Sequence, residues 1–211
     1  MKNIQLKKQK KRTALLDSAY GLFTTIGFQK TTITNIVDNA GVAKGTFYLY
    51  FKDKEDIRKA LVLHRSSEIL NEAVDALNRQ PHVSQLDFSD RIIYITNYIL
   101  DFLSTDIAQL QFVSKYLSGG ILTNKELAYS KDDEALNFRQ FIQRTLQKDG
   151  IELERIHLVV YTILELINST CYNIILHGNP VTIGEYKPYL YRCIRVLIED
   201  ALNTSAGGTL S

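Results

Sequence analysis

No proline precedes Pro81, none lies between Pro81 and Pro180, and Pro188 is the third and last. A chain with so few breakers can satisfy its backbone hydrogen bonds locally over long stretches, which favours an all-α fold. Apolar residues recur at helical spacing, and the 11 glycines mostly fall where the periodic stretches end. With 45% hydrophobic residues, 211 residues suffice for one large domain or a small domain joined to a larger one.

Leu15, Leu16, Ala19, Leu22, Phe23 and Ile26 predict a first helix over residues 9–26, stopped by Gly27. Thr32 is a good N-cap for a short second helix carrying Ile33, Ile36, Val37 and Ala40, closed by Gly41. A short third helix follows over residues 43–50, with Val42, Thr46, Phe47 and Tyr50 turned wholly or partly inward. Asp53 then caps a long helix reaching Leu77, with Glu55 and Asp56 in its first turn, and Gln80, Pro81 and His82 end it. Five more helices are expected over residues 90–103, 107–117, 133–148, 152–177 and 185–203. Thr182 and Glu185 have capping-box spacing at the start of the last one. The total is about nine helices, no strand, and a small polar tail, residues 204–211, expected to be disordered.

Charge is unevenly spread. Residues 1–59 hold 12 Lys/Arg against 5 Asp/Glu, a net +7, and the remainder holds 13 against 18, or −5. A basic head on an acidic body suggests a polyanion-binding module joined to a part with another task. The basic N-terminus does not read as a secretory signal, because Asp17 and Ser18 cut its apolar stretch short. The best candidate for a membrane span, from Leu158, is broken by Glu165, so no membrane association is expected. Cys171 and Cys193 make no disulfide framework, and a soluble, cytoplasmic protein is expected.

Two short helices around a tight Gly41 turn suit a helix-turn-helix, whose second helix enters the major groove. In that helix Lys44 can donate to phosphate or guanine, Gly45 allows close backbone approach, and Thr46 and Tyr48 add hydroxyls. The string Thr31-Thr32-Ile33, Ile36, Ala40-Gly41-Val42, Lys44 through Phe51 and Lys54-Glu55 resembles the N-terminal signature of the tetracycline-repressor (TetR) family. The resemblance implies phosphate contacts for Thr32 and Lys54, and backbone or base contacts for Tyr48 and Tyr50. It implies that Lys44, Gly45 and Thr46 read sequence, that Leu49 faces DNA, and that Phe47 and Phe51 belong to the core. Ala43 departs from the family's frequent serine and cannot cap the helix.

Residues 1–60 thus read as a three-helix DNA-binding domain, and residues 61–203 as a larger helical ligand-binding and dimerisation domain. The stretch from Leu153 to His177 is apolar on nearly all sides and demands cover all round, which a symmetric partner can supply. The last helix, with Tyr189, Leu190, Ile194, Leu197, Ile198 and Leu202, is its companion; the resemblance implies a homodimer built from these two. Tyr161, Glu165, Asn168 and Tyr172 share one helical face. They read either as a hydrogen-bond network at the dimer seam or as part of a ligand pocket walled by Tyr94, Tyr98, Phe102, Phe112 and Tyr116. The function that the resemblance implies is a ligand-responsive regulator of double-stranded DNA, in its usual form a repressor released by ligand; a two-fold dimer suggests a palindromic operator, and the aromatic residues suggest a small, largely apolar effector.

The alternative is a helical small-molecule carrier or enzyme with an incidental basic head. It has little to stand on: His64, His82, His157 and His177 lack metal-ligand spacing, and Gly119-Gly120 lacks the lysine of a phosphate loop. No catalytic residue, metal ligand or cofactor is assigned.

Overall fold

A computed structural model describes residues 2–121 and 153–203, and the regular structure among them is entirely helical. The helices are α1 (Lys2–Thr25), α2 (Ile33–Asn39), α3 (Lys44–Tyr48), α4 (Lys54–Asn78), α5 (Phe88–Thr105) and α6 (Ile107–Ile121). They continue as α7 (Leu153–Leu166), a π-helical turn (Ile167–Cys171), α8 (Tyr172–His177) and α9 (Ile183–Asn203). The helix expected over residues 133–148 and the tail 204–211 lie outside the described residues. The chain forms two compact units, Met1–His64 and Arg65–Ser211.

In the first unit α1 packs on α2 and α2 on α3. Leu15, Leu16, Ile36, Phe47, Ile57 and Leu61 are wholly buried there, and the Ser18 hydroxyl donates to the Ile36 carbonyl at 2.7 Å. Gly27 and Gly41, at φ 86° and 64°, take the left-handed conformation that ends a helix with little strain only in glycine. Helix α1 starts seven residues before the expected position, because Lys, Gln and Arg are good helix formers and no Gly or Pro interrupts them. Ile26, read as part of the inward stripe, lies past the end of α1 and is exposed.

Among the described residues of the second unit, buried side chains gather into three apolar clusters. In one, Phe88 and Leu100 of α5 and Val160 and Ile163 of α7 meet Cys171 and the wholly buried Leu190, Ile194 and Ile198 of α9. Another joins Ile69, Leu103, Leu110 and Val113 from α4, α5 and α6. The third joins Leu70, Ala73 and Leu77 of α4 to Ile95 of α5. Polar clasps fasten α9 to α5: Lys187 bonds Asn97 Oδ1 and Asp101, the Tyr191 hydroxyl donates to Asn97 Oδ1, and Arg195 pairs with Asp90. Burial and the nearby Asp101 carboxylate push the Tyr191 phenol up to about 12, so it stays a donor at neutral pH.

Three local expectations are corrected. Helix α6 runs through Gly119 and Gly120 to Ile121 instead of stopping at Leu117. A glycine costs a helix roughly 1 kcal/mol, which weakens it without ending it. The apolar helix over residues 153–177 is not uniform: the Thr170 hydroxyl takes the Leu166 carbonyl at 2.6 Å, competing with the backbone ladder, and the helix passes through the π turn. Glu165 also does not disqualify the stretch Leu158–His177, which by length and composition alone is apolar enough to cross a membrane. Only 22% of that stretch is buried within the chain, leaving apolar surface to be covered.

Burial also divides the two cysteines. Cys171 is 1% exposed, and burial pushes its thiol up to about 11, whereas Cys193 stands half-buried on α9. Since the thiolate is the reactive form, iodoacetamide should modify no more than one cysteine in the native protein, leaving Cys171 intact until denaturant is added. Peptide mapping that found Cys171 labelled natively would contradict this burial.

Candidate nucleic-acid interface

Helix α2 starts with a complete capping box. Thr32 Oγ1 accepts the Asn35 amide at 3.1 Å, while the Thr32 amide donates back to Asn35 Oδ1 at 3.0 Å. The Thr32 hydroxyl also donates to Asn35 Oδ1 at 2.7 Å, so it must turn away from Asn35 to reach a phosphate. Asn35 was not singled out from the sequence, although its spacing of three from Thr32 is the signal of a cap partner.

Helix α3 is five residues long, shorter than the expected eight, and Ala43 precedes it with no side-chain cap, as its missing hydroxyl dictates. Phe47 is wholly buried and Phe51 nearly so; these rings hold the helix to the core from one side. The other side presents Lys44, Gly45, Tyr48 and Leu49 to solvent, with Thr46 and Tyr50 half-buried at its edges. Leu49 is 77% and Tyr48 53% exposed, so this side carries an adjacent aromatic and apolar pair beside Lys44. A Cβ on Gly45 would meet nothing within 4 Å, so the chain's own packing does not require glycine there. The open space is what close approach of another molecule needs.

Lys54 departs from the role implied for it. Its Nζ donates to the carbonyls of Phe28 at 2.7 Å, Gln29 at 3.3 Å and Thr31 at 2.9 Å, and lies 4.4 Å from the Phe28 ring centroid. All three ammonium donors are therefore engaged within the loop from α1 to α2. In the chain by itself these bonds tie down the turn that presents Thr32.

The residues read as pocket walls fall into two groups. Phe102, Phe112 and Tyr172 pack together on the cluster around Ile69 and Val113. Tyr94 and Tyr98 pack on the α4–α5 cluster, where the Tyr94 hydroxyl accepts from Gln80 at 2.8 Å. Tyr116 lies in α6, and its side chain is outside what is described. Glu165 is half-buried rather than buried, and Tyr161 is 36% exposed. Glu165 shares a side of α7 with exposed Leu158 and Tyr161, opposite Val160 and Ile163. Asn168 falls within the π turn, which breaks the four-three-four face assumed from a regular helix.

Comparison with known proteins agrees with this geometry. The family model for bacterial regulatory proteins of the tetR family matches residues 15–61. The fatty acid metabolism regulator protein of Bacillus subtilis is 35% identical over 63 residues, which are 30% of this chain and 32% of that protein. The chain thus spans about a third of the length of that curated relative. A tetR-family regulator from Shewanella sp. PV-4 superposes with a TM-score of 0.60 at 20% identity, over 87% of this chain and 95% of that one. The transcriptional regulator FadR from Bacillus subtilis, solved in complex with stearoyl-CoA, superposes with a TM-score of 0.54 at 17% identity, over 86% and 96%. These relatives are transcription regulators and not enzymes.

Proposed function

We propose that this chain is a TetR-family transcriptional regulator, on the match of its DNA-binding domain and its fold, and that it works as a homodimer on a palindromic operator, as a repressor released by a small, largely apolar effector. The observation that carries DNA reading is the exposed side of α3, where Lys44, Gly45, Tyr48 and Leu49 stand clear of a well-packed core. Two such helices related by a two-fold axis would read half-sites about one helical turn apart or a little more. Dimerisation is supported by the apolar residues that α7 and α9 leave outside the fold: Leu158, Tyr161, Tyr189 and Val196. The wholly buried Ile194, read from the sequence as part of this interface, belongs to the intrachain core instead, and half-buried Leu197 packs against that core.

The effector reading rests on the second unit. Phe102, Phe112 and Tyr172 pack beside Ile69 and Val113 in an apolar and aromatic cluster, the chemical surroundings that an apolar effector would favour. The stearoyl-CoA held by FadR of Bacillus subtilis supports an apolar effector class for a protein of this fold. Helix α4 supplies Ile57 and Leu61 to the core of the first unit and Ile69, Leu70 and Ala73 to that of the second. It is the element through which a ligand with different affinities for two arrangements would act on DNA binding.

The test is fluorescence anisotropy on labelled fragments from around the protein's own gene, followed by titration with long-chain acyl compounds. Lys44→Ala should cost ~1–3 kcal/mol more on the selected fragment than on random duplex if Lys44 reads a base pair. Equal losses on both would make it a phosphate anchor, and absence of binding to any fragment would remove the regulator reading.

A further inference from the structure

Six basic residues, Lys2, Lys7, Lys8, Lys10, Lys11 and Arg12, precede the first acid, Asp17. They lie on the first half of α1, ahead of its first buried residue, Leu15, and ahead of residue 15, where the family match begins. Lys7, Lys8, Lys10 and Lys11 are exposed. We infer that this N-terminal half of α1 is a second DNA-binding element, a basic limb that grips backbone phosphates beyond those reached by α2 and α3.

Placement supports the limb as much as charge does. Lys8 and Lys11 stand seven and four residues before Leu15, and Arg12 stands four before Leu16. The side of α1 that is apolar where it packs in the core is therefore basic where it runs ahead of the core. Arg12 marks the junction: its guanidinium lies 5.8 Å from the ring centroid of Phe51, three residues past the end of α3. The limb thus continues from the base of the module that presents the reading helix.

The charges also work against each other without an anion. Lys7 with Lys11 and Lys8 with Arg12 are like-charge pairs at i,i+4, which weaken an isolated helix. A phosphate backbone, at one charge per roughly 1.7 Å of duplex axis, is the counter-charge that a helix of about 16 Å can follow over several residues. Such contacts carry no sequence information and act on all duplexes alike.

The inference rests on the DNA-binding reading and is tested separately from it. Binding of a labelled mixed-sequence duplex is measured across a salt series for the natural protein and for the combined variant Lys7→Gln, Lys8→Gln, Lys10→Gln and Lys11→Gln. Log K against log salt should become shallower by about 0.9 for each phosphate that the variant no longer neutralises, hence by about 0.9 or more in total. The matching Lys→Arg variant should keep the natural slope, which excludes a folding defect as the cause. A slope change too small for even one phosphate, with the natural protein still binding, overturns the limb and leaves the regulator reading intact. A natural protein that binds no duplex overturns that reading instead.

Discussion

Val196→Glu should turn the protein into a monomer and lower its operator affinity by ~10²-fold or more, the order of gain that linking two binding modules provides. Tyr189, Cys193, Val196 and Asp200 follow one another at spacings of four, three and four, so they form one side of α9. That side lies opposite Leu190, Ile194 and Ile198, which are 0% exposed, while Val196 is 63% and Tyr189 55% exposed. A glutamate at an exposed position changes the stability of the lone chain by roughly 0.5 kcal/mol or less. In a symmetric interface the same glutamate must leave water and face its own copy or an apolar neighbour. Sedimentation velocity measures the dimer, and alkylation of Cys193, covered in the dimer, should speed up in the variant. By contrast Ile194→Glu places a charge in the intrachain core and should unfold the second unit, at a cost above ~4 kcal/mol. A Val196→Glu protein that stayed dimeric at full affinity would move the interface to another face.

Lys54→Met should destabilise the first unit by about 2–3 kcal/mol, less than three full charge-assisted hydrogen bonds because water can reach some of the freed carbonyls. The substitution keeps the aliphatic stem and removes the donors to Phe28, Gln29 and Thr31 together with the cation over the Phe28 ring. Thr31 is buried, and its neighbour Thr32 is the cap of α2, so the loss reaches the presentation of the helix-turn-helix. Hydrogen exchange in the loop before α2 should accelerate, and DNA affinity should fall on every sequence as the folded head becomes scarcer. If Lys54→Met left exchange and melting unchanged while weakening DNA binding uniformly, the ammonium would be a phosphate anchor after all.

Much of the fold was legible because its signals are local. Thr32, Asp53 and Thr182 each cap the helix expected of them, as hydrogen bonds to the residue three positions on attest. Gly27, Gly41 and Gly178 adopt the left-handed stops. Phe47 and Phe51 are inward as the family resemblance implied, and Ala43 leaves α3 uncapped. Helix ends were misplaced where no marker stands, as at the start of α1, and where glycines that the helix tolerates stood in for one, as at Gly119 and Gly120 of α6.

The sequence by itself determined that the head is basic, which segments are helices and where most of them turn. Those properties depend on residues three or four apart, whose interactions exist before any helix meets another. Only the tertiary structure decided what each side chain is used for. A lone lysine in sequence is a free cation, and three carbonyls brought from residues 28, 29 and 31 turn Lys54 into a brace. The apolar stripe of α9 looked like a single partner-facing surface until α5 and α7 buried Leu190, Ile194 and Ile198 and left Tyr189 and Val196 outside. The four-three-four face of residues 161 to 172 assumed one continuous helical period, and the π turn over Ile167–Cys171, where the Thr170 hydroxyl bonds the Leu166 carbonyl, ended that period at Leu166. In each case the outcome depends on contacts between distant segments or on competition for a single carbonyl, and helical spacing carries no information about either.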